Sequence, residues 1–115
     1  MNLNKLTEKA QEAIVAAQQL AENRQHTQLE PEHLLHALVD QADGVVPAVL
    51  QRLGLDSRRL IQRLEVKLNG FARATTPGQQ LYVSARFRRV FEAAQQEAER
   101  LKDDYVSAEH FLLAM

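Results

Sequence analysis

Residues 84–115 read SARFRRVFEAAQQEAERLKDDYVSAEHFLLAM, and residues 7–38 read TEKAQEAIVAAQQLAENRQHTQLEPEHLLHAL. Laid over one another without a gap, the two stretches agree at ten of 32 positions. Ala16-Ala17-Gln18-Gln19 falls on Ala93-Ala94-Gln95-Gln96, Ala21-Glu22 on Ala98-Glu99, Glu32-His33 on Glu109-His110, Leu35 on Leu112 and Ala37 on Ala114. A unit present twice is a packing module before it is a site, so the chain reads as a tandem repeat. The first copy covers about 4–69, a connector 70–83 and a partial second copy 84–115. Met115 falls inside a helix that the first copy carries to about Gln41, and the chain is therefore expected to be a fragment.

The apolar positions of both copies have a helical period. Leu6, Ala10, Ala13, Ile14, Ala17, Leu20 and Ala21 recur at three and four residues, predicting an amphipathic helix over Asn4 to Asn23 that begins at Asn4 or Thr7. Glu30-Pro31 opens a second helix, with proline in the first turn, and Leu34, Leu35, Leu38 and Val39 form its inner face. Asp43-Gly44 closes that helix, and a short third follows through Val45, Val46, Val49, Leu50 and Leu53. Asp56 caps a fourth to about Leu68, with Leu60, Ile61, Leu64 and Leu68 inward, and Asn69-Gly70 stops it. Phe71 to Val83 lacks helical period; Thr75-Thr76-Pro77-Gly78 is a turn, and Leu81 and Val83 return the chain to the core. Ser84 caps a fifth helix carrying Phe87, Val90, Phe91, Ala94, Ala98 and Leu101 inward. Ser107 caps a sixth with Phe111, Leu112 and Met115 on its apolar face. The fold class is all-α, a pseudo-twofold tandem repeat of a four-helix unit with the second repeat incomplete.

Composition narrows the function classes. Lys+Arg 14 against Asp+Glu 15 leaves a formal charge of -1, which asks for no polyanionic partner. The hydrophobic fraction of 45% is enough for a packed core. Absence of cysteine removes disulfides, thiolate catalysis and thiolate metal sites. No window approaches a membrane span, and Met1 to Lys9 lacks the apolar run of a signal peptide, so a soluble cytoplasmic protein is expected.

Little in the chain is arranged for chemistry. Gly44, Gly54, Gly70 and Gly78 are isolated and no Lys-Ser or Lys-Thr follows them, which excludes a phosphate loop. Ser84 and Ser107 read as helix caps rather than nucleophiles. His33 and its repeat mate His110 sit in first turns, where a structural contact explains both copies better than a metal does. Arg52, Arg58, Arg59 and Arg63, then Arg86, Arg88 and Arg89, suit a solvated or ion-paired surface; a nucleic-acid-binding module is the competing reading. Asp103-Asp104-Tyr105, before the sixth helix, is either a polar turn anchored in the core by Tyr105 or a protein contact. No catalytic, metal or cofactor site is expected.

Leu6-Thr7-Glu8-Lys9-Ala10, Ala16-Ala17-Gln18-Gln19-Leu20-Ala21, Leu29-Glu30-Pro31-Glu32-His33-Leu34-Leu35 and the echo Val106-Ser107-Ala108-Glu109-His110-Phe111-Leu112 together resemble the N-terminal repeat domain of the bacterial Clp ATPases. Leu3 and Leu101-Lys102-Asp103-Asp104-Tyr105-Val106 bring it nearest the ClpB disaggregase branch. The resemblance implies an eight-helix domain, of which this chain holds six. It implies a non-catalytic accessory to a homohexameric AAA+ ring that uses ATP and magnesium elsewhere in the full-length protein. The domain would capture unfolded or aggregated polypeptide for threading, without nucleic acid or membrane; an adaptor-binding domain of a Clp protease unfoldase stays open beside it. The resemblance points to Thr7, Asp103 and Glu109 for capture, with Asp104 and Tyr105 beside them. It also implies an apolar groove, to which Phe91, Leu101, Tyr105, Val106 and Leu113 are candidates, each equally readable as core.

Overall fold

The computed structural model describes residues 3–76 and 78–115 of the chain. A 3-10 turn at Leu3–Lys5 precedes α1 (Glu8–Asn23), β1 (Gln28–Leu29), α2 (Pro31–Asp40), α3 (Val45–Arg52) and α4 (Ser57–Asn69). Then come β2 (Tyr82–Val83), α5 (Ala85–Arg100) and α6 (Ala108–Ala114). The fold is all-α, with α1–α4 in one cluster and α5–α6 in the other, as a four-helix unit and the beginning of its repeat require. Pro77 of the expected turn lies outside the described residues.

The caps place the helices. Thr7, not Asn4, starts α1: its hydroxyl accepts from the Ala10 amide at 3.2 Å. Ser84, at the same place in the second copy, accepts from the Phe87 amide at 3.0 Å. Asp56 caps α4 through the Arg58 amide. The small side chains of Ala10, Ala13, Ala17 and Ala21 are buried and let α1 lie close on α2. In the second copy Phe87 and Phe91 stand where the first has Ala10 and Ile14, Phe91 meeting Phe111 edge-on at 5.6 Å between ring centres. One continuous core runs from Leu6 to Phe111 through both copies.

The copies are joined by an exchange that helical periodicity does not show. β1 and β2 run parallel, Gln28 beside Tyr82 and Leu29 beside Val83, and Leu6 makes a parallel bridge to Val106. A step of 77 residues carries Leu6 to Val83 and Leu29 to Val106, so these are one pairing seen twice. The chain entering the first helix of each copy pairs with the chain entering the second helix of the other. The Thr7 amide donates to the Val106 carbonyl at 3.0 Å, and the Ser84 amide to the Leu29 carbonyl at 3.1 Å. Phe71 to Val83, expected as a connector without helical period that returns to the core at Leu81 and Val83, ends in a strand.

Both long helices also end alike. Gln25 and Lys102 take left-handed φ values of 58 and 60, each without glycine's freedom. The His26 amide reaches back to the Ala21 carbonyl at 2.9 Å and the Asp103 amide to the Ala98 carbonyl at 2.8 Å. Gln25 and Lys102 donate to Glu22 and Glu99, completing a Schellman turn in each copy.

Several expectations need correction at element ends. α5 stops at Arg100, so Leu101 leaves the inner face as a C-cap and is 47% exposed; Met115 is exposed at the end of α6. Tyr105 does not anchor the turn in the core: 56% of it faces solvent. Leu35, Leu60 and Ile61 are only half-buried. Asp43-Gly44 does not close α2, which ends at Asp40; Gly44 instead caps α3. Glycine is needed there for closeness, since a Cβ would stand 2.9 Å from the Gln41 Cβ.

Candidate functional site

The start of each copy's second helix is built around a buried histidine. The His33 Nδ1 accepts from the Glu30 amide at 2.9 Å, and the His110 Nδ1 accepts from the Ser107 amide at 2.8 Å. An imidazole here takes the part that glutamate or glutamine usually plays in a capping box. A nitrogen that accepts from an amide carries no proton, so each ring holds its hydrogen on Nε2 and donates from it. In the second copy the acceptor is the Asp103 carboxylate, 2.8 Å away. In the first copy it is His26 Nδ1, at 2.7 Å.

Ser107, His110 and Asp103 therefore stand in a line that resembles a hydrolase triad by distance, Ser107 Oγ being 3.1 Å from His110 Nδ1. The chemistry does not follow. The Nδ1 lone pair is taken by the Ser107 amide, and the Ser107 hydroxyl gives its hydrogen to Glu109 Oε2 at 3.0 Å. No base is left for the serine, and the group works as a cap. Among the described residues no three His, Asp or Glu side chains are placed to hold a metal ion.

The buried pair of the first copy is electrostatically different. Burial holds His33 down to about 4, with His26 the next cause, and burial followed by Arg73 and Arg24 lowers His26. Phe71 lies edge-on to both rings, covering them from the connector.

Where α1 and α6 start side by side, a cleft of about 600 Å³ opens between the copies. Thr7, Glu8 and Lys9 form one wall, Ser107, Ala108 and Glu109 the other, and Asp43, Gly44 and Val45 the end. Lys9 Nζ is 2.8 Å from Asp43 Oδ1, a contact that raises the lysine and lowers the carboxylate. The Gln41 side chain ties down the Lys9 carbonyl at 2.9 Å.

Of the residues singled out in the sequence, the cleft brings together Thr7 and Glu109. Asp103, Asp104 and Tyr105 are outside its walls, on the exposed turn that leads into α6, and Asp103 is tied to His110. Of the groove candidates, Phe91 and Val106 are buried core, whereas Leu101, Tyr105 and Leu113 are exposed. Arg86 is ion-paired with Glu32, and the remaining arginines of the two basic groups are exposed. Periodicity missed Lys9, Gln41 and Asp43; Asp43-Gly44, a turn pair facing a helix start, is the one signal that pointed there.

The family described as the Clp repeat (R) N-terminal domain matches residues 5–115. The chain belongs to this family. As a Clp N-terminal domain it is 41% identical over 110 residues to the chaperone protein ClpB of Bdellovibrio bacteriovorus, covering 96% of this chain and 13% of that relative. It is 38% identical to ClpB of Bacillus cereus over 117 residues, covering 99% of this chain and 14% of the relative. The chain thus spans about one-seventh of the length of these curated relatives. Its fold is shared with the Hsp104 N-terminal domain of Candida albicans, with a TM-score of 0.87 at 24% identity over 96% of this chain and 72% of the other. The same fold occurs in a ClpV N-domain solved in complex with a VipB peptide, with a TM-score of 0.83 at 22% identity over 97% of this Clp N-terminal domain and 68% of that chain. No helix among the described residues is long and apolar enough to cross a membrane.

Proposed function

We propose that this Clp N-terminal domain recruits unfolded or aggregated polypeptide for an attached, ATP-consuming disaggregase ring, with the inter-copy cleft as its contact surface. The observation that carries the reading is the cleft itself: it puts Thr7 and Glu109, far apart in sequence, on facing walls of one opening. Identity to ClpB chaperones over nearly the whole chain supports the disaggregase branch, and the ClpV N-domain solved with a peptide shows that a relative of this fold takes one. The domain comprises a first repeat over about 4–69, a connector over 70–83 and a second repeat from 84, as the strand exchange suggests. The ring, its ATP and magnesium, hexameric assembly and a cytoplasmic setting belong to the same proposal. Asp103 acts by fixing the α6 entry through His110, while Asp104 and Tyr105 offer a further exposed contact beside it.

The test is a solution NMR titration of the chain with a permanently unfolded polypeptide. Amide shifts gathered at Thr7, Val45 and Ser107 to Glu109 are expected, with smaller ones at Asp104 and Tyr105. Saturation without change at the cleft overturns it as the capture surface.

A further inference from the structure

Val45, at one end of α3, closes the cleft, and Arg52 stands about 12 Å away at the other end. There the chain turns a corner that is exposed at every residue from Gln51 to Asp56. The corner is a hydrogen-bonded Schellman turn. Gly54 takes φ 73, its amide donates to the Gln51 carbonyl at 3.1 Å, and the Leu55 amide donates to the Leu50 carbonyl at 2.9 Å. Such a turn commonly tucks its last residue against the helix, yet Leu55 is 56% exposed and Leu53 67%.

The charge around these leucines is one-sided. Residues 52–67 carry Arg52, Arg58, Arg59, Arg63 and Lys67 against Asp56 and Glu65, a net +3 in a chain of -1. Both carboxylates are already engaged. Asp56 accepts from the Arg58 amide as the α4 cap, and Glu65 is held by Arg24 at 2.8 Å and His36 at 3.0 Å. Among the described residues no carboxylate is within ion-pair distance of any of the four arginines, whereas Arg86 of the other basic group is paired with Glu32. Arg59, Arg63 and Val66 recur at four and three, and all three are exposed while Leu64 and Leu68 are buried, so they form the outer stripe of α4. Arg58 and Arg59 also stand in the first turn of α4, where the helix dipole favours carboxylates, so folding alone disfavours them there.

We propose that this corner docks an acidic segment of a partner protein, one in which Asp or Glu is interleaved with aliphatic residues. Its carboxylates meet Arg59 and Arg63, and its aliphatic groups cover Leu53 and Leu55. Four of the five cations are arginine, the cation that protein interfaces favour, because a guanidinium is weakly hydrated and grips a carboxylate with two parallel donors. A nucleic acid gains nothing from the exposed leucines and finds no aromatic side chain between Arg52 and Lys67 on which a base stacks. An anionic bilayer is served as well by lysine as by arginine. None of these residues belongs to the walls of the cleft, so the docking surface stands whatever the cleft binds.

Two short synthetic peptides test it, one of glutamates interleaved with leucines, the other with glutamine in place of every glutamate. Affinities are measured by fluorescence anisotropy and the contact located by amide shifts, on the wild-type chain and on two double variants, Arg59→Gln with Arg63→Gln and Leu53→Ser with Leu55→Ser. All four positions are exposed, so both variants are expected to fold, which circular dichroism checks. The glutamate peptide is expected to bind the wild-type chain about three- to tenfold more tightly at low salt and to shift the amides from Leu53 to Arg63. That preference should vanish in the arginine variant, and the glutamate peptide should bind the leucine variant about threefold more weakly or worse. Equal affinities of the two peptides, or a preference that survives in the arginine variant, overturn the proposal. Undiminished binding by the leucine variant reduces the contact to unspecific ion attraction and overturns it as well, as do amide shifts confined to other parts of the chain. Random duplex DNA and phosphatidylglycerol vesicles are titrated alongside; tighter binding of either through the same arginines assigns the surface to that partner instead and refutes the acidic segment.

Discussion

Acidification attacks this domain through His33 before it reaches the carboxylates. His33 is fully buried, its Nδ1 accepts from the Glu30 amide and its Nε2 donates to His26. A further proton has no place on the pair. On His33 Nδ1 it would meet an amide hydrogen, and on His26 Nδ1 it would meet the His33 Nε2 hydrogen across 2.7 Å. Arg24 and Arg73 oppose a charge on His26 and Glu32 favours one on His33, with His36 opposing it; burial outweighs them all.

The folded ring thus titrates at about 4 and a free imidazole at 6.5, so the unfolded chain binds more protons between those values. Stability contributed by His33 is complete above about pH 6.5 and drains as pH falls toward 4. At about 1.4 kcal/mol per pH unit the full loss is about 3 kcal/mol, a large part of the stability of a small domain. Glu65 and Asp43, whose carboxyls are lowered by hydrogen bonds to Arg24 and Lys9, lose their stabilisation only below 4.5 and 3.8, so the windows are separable.

Urea unfolding at a series of pH values measures the slope. His33→Gln supplies the control, because glutamine accepts from the N-cap amide without titrating. The variant should be less stable near neutrality yet lose less on acidification, retaining only the smaller contribution of His26. A wild-type profile parallel to that of His33→Gln between about pH 6.5 and 4 would refute the account.

Three further outcomes follow from the packing. Lys102→Gly removes a side chain from a left-handed position and should stabilise by up to about 1 kcal/mol in urea unfolding, where glycine inside a helix would destabilise. Ser84→Ala deletes the α5 cap and should cost about 1 kcal/mol, read as a lower thermal midpoint. Phe111→Ala should cost about 3–5 kcal/mol and Leu101→Ala less than about 0.5, a contrast in denaturant midpoints that reports which side of the α5–α6 boundary is core.

The helices and the repeat were legible because amphipathic periodicity and cap residues are local signals. Thr7, Ser84 and Asp56 each cap the helix that their position announces, and the Ala-Ala-Gln-Gln identity marks the same packing in both copies. Family membership was legible for the same reason: Glu32-His33 and Glu109-His110 are one capping device, kept at one spacing. Tyr105 and Leu101 were misplaced because apolar character says nothing of which side of a helix end a residue falls on. The left-handed turns at Gln25 and Lys102 were hidden by the absence of glycine, and two-residue strands are too short to show alternation.

By itself, then, the sequence determined an all-helical tandem repeat and its caps, and the family resemblance added Thr7 and Glu109 among its capture candidates. Only the tertiary structure decided that those two face one another, because the strand exchange that brings α1 beside α6 is a pairing between backbones about a hundred residues apart, Leu6 with Val106. Tertiary structure alone also decided the charge of the opening. Lys9 and Arg86 are equivalent cations in the repeat, yet Lys9 pairs with Asp43 and Arg86 with Glu32, while Glu109 is exposed.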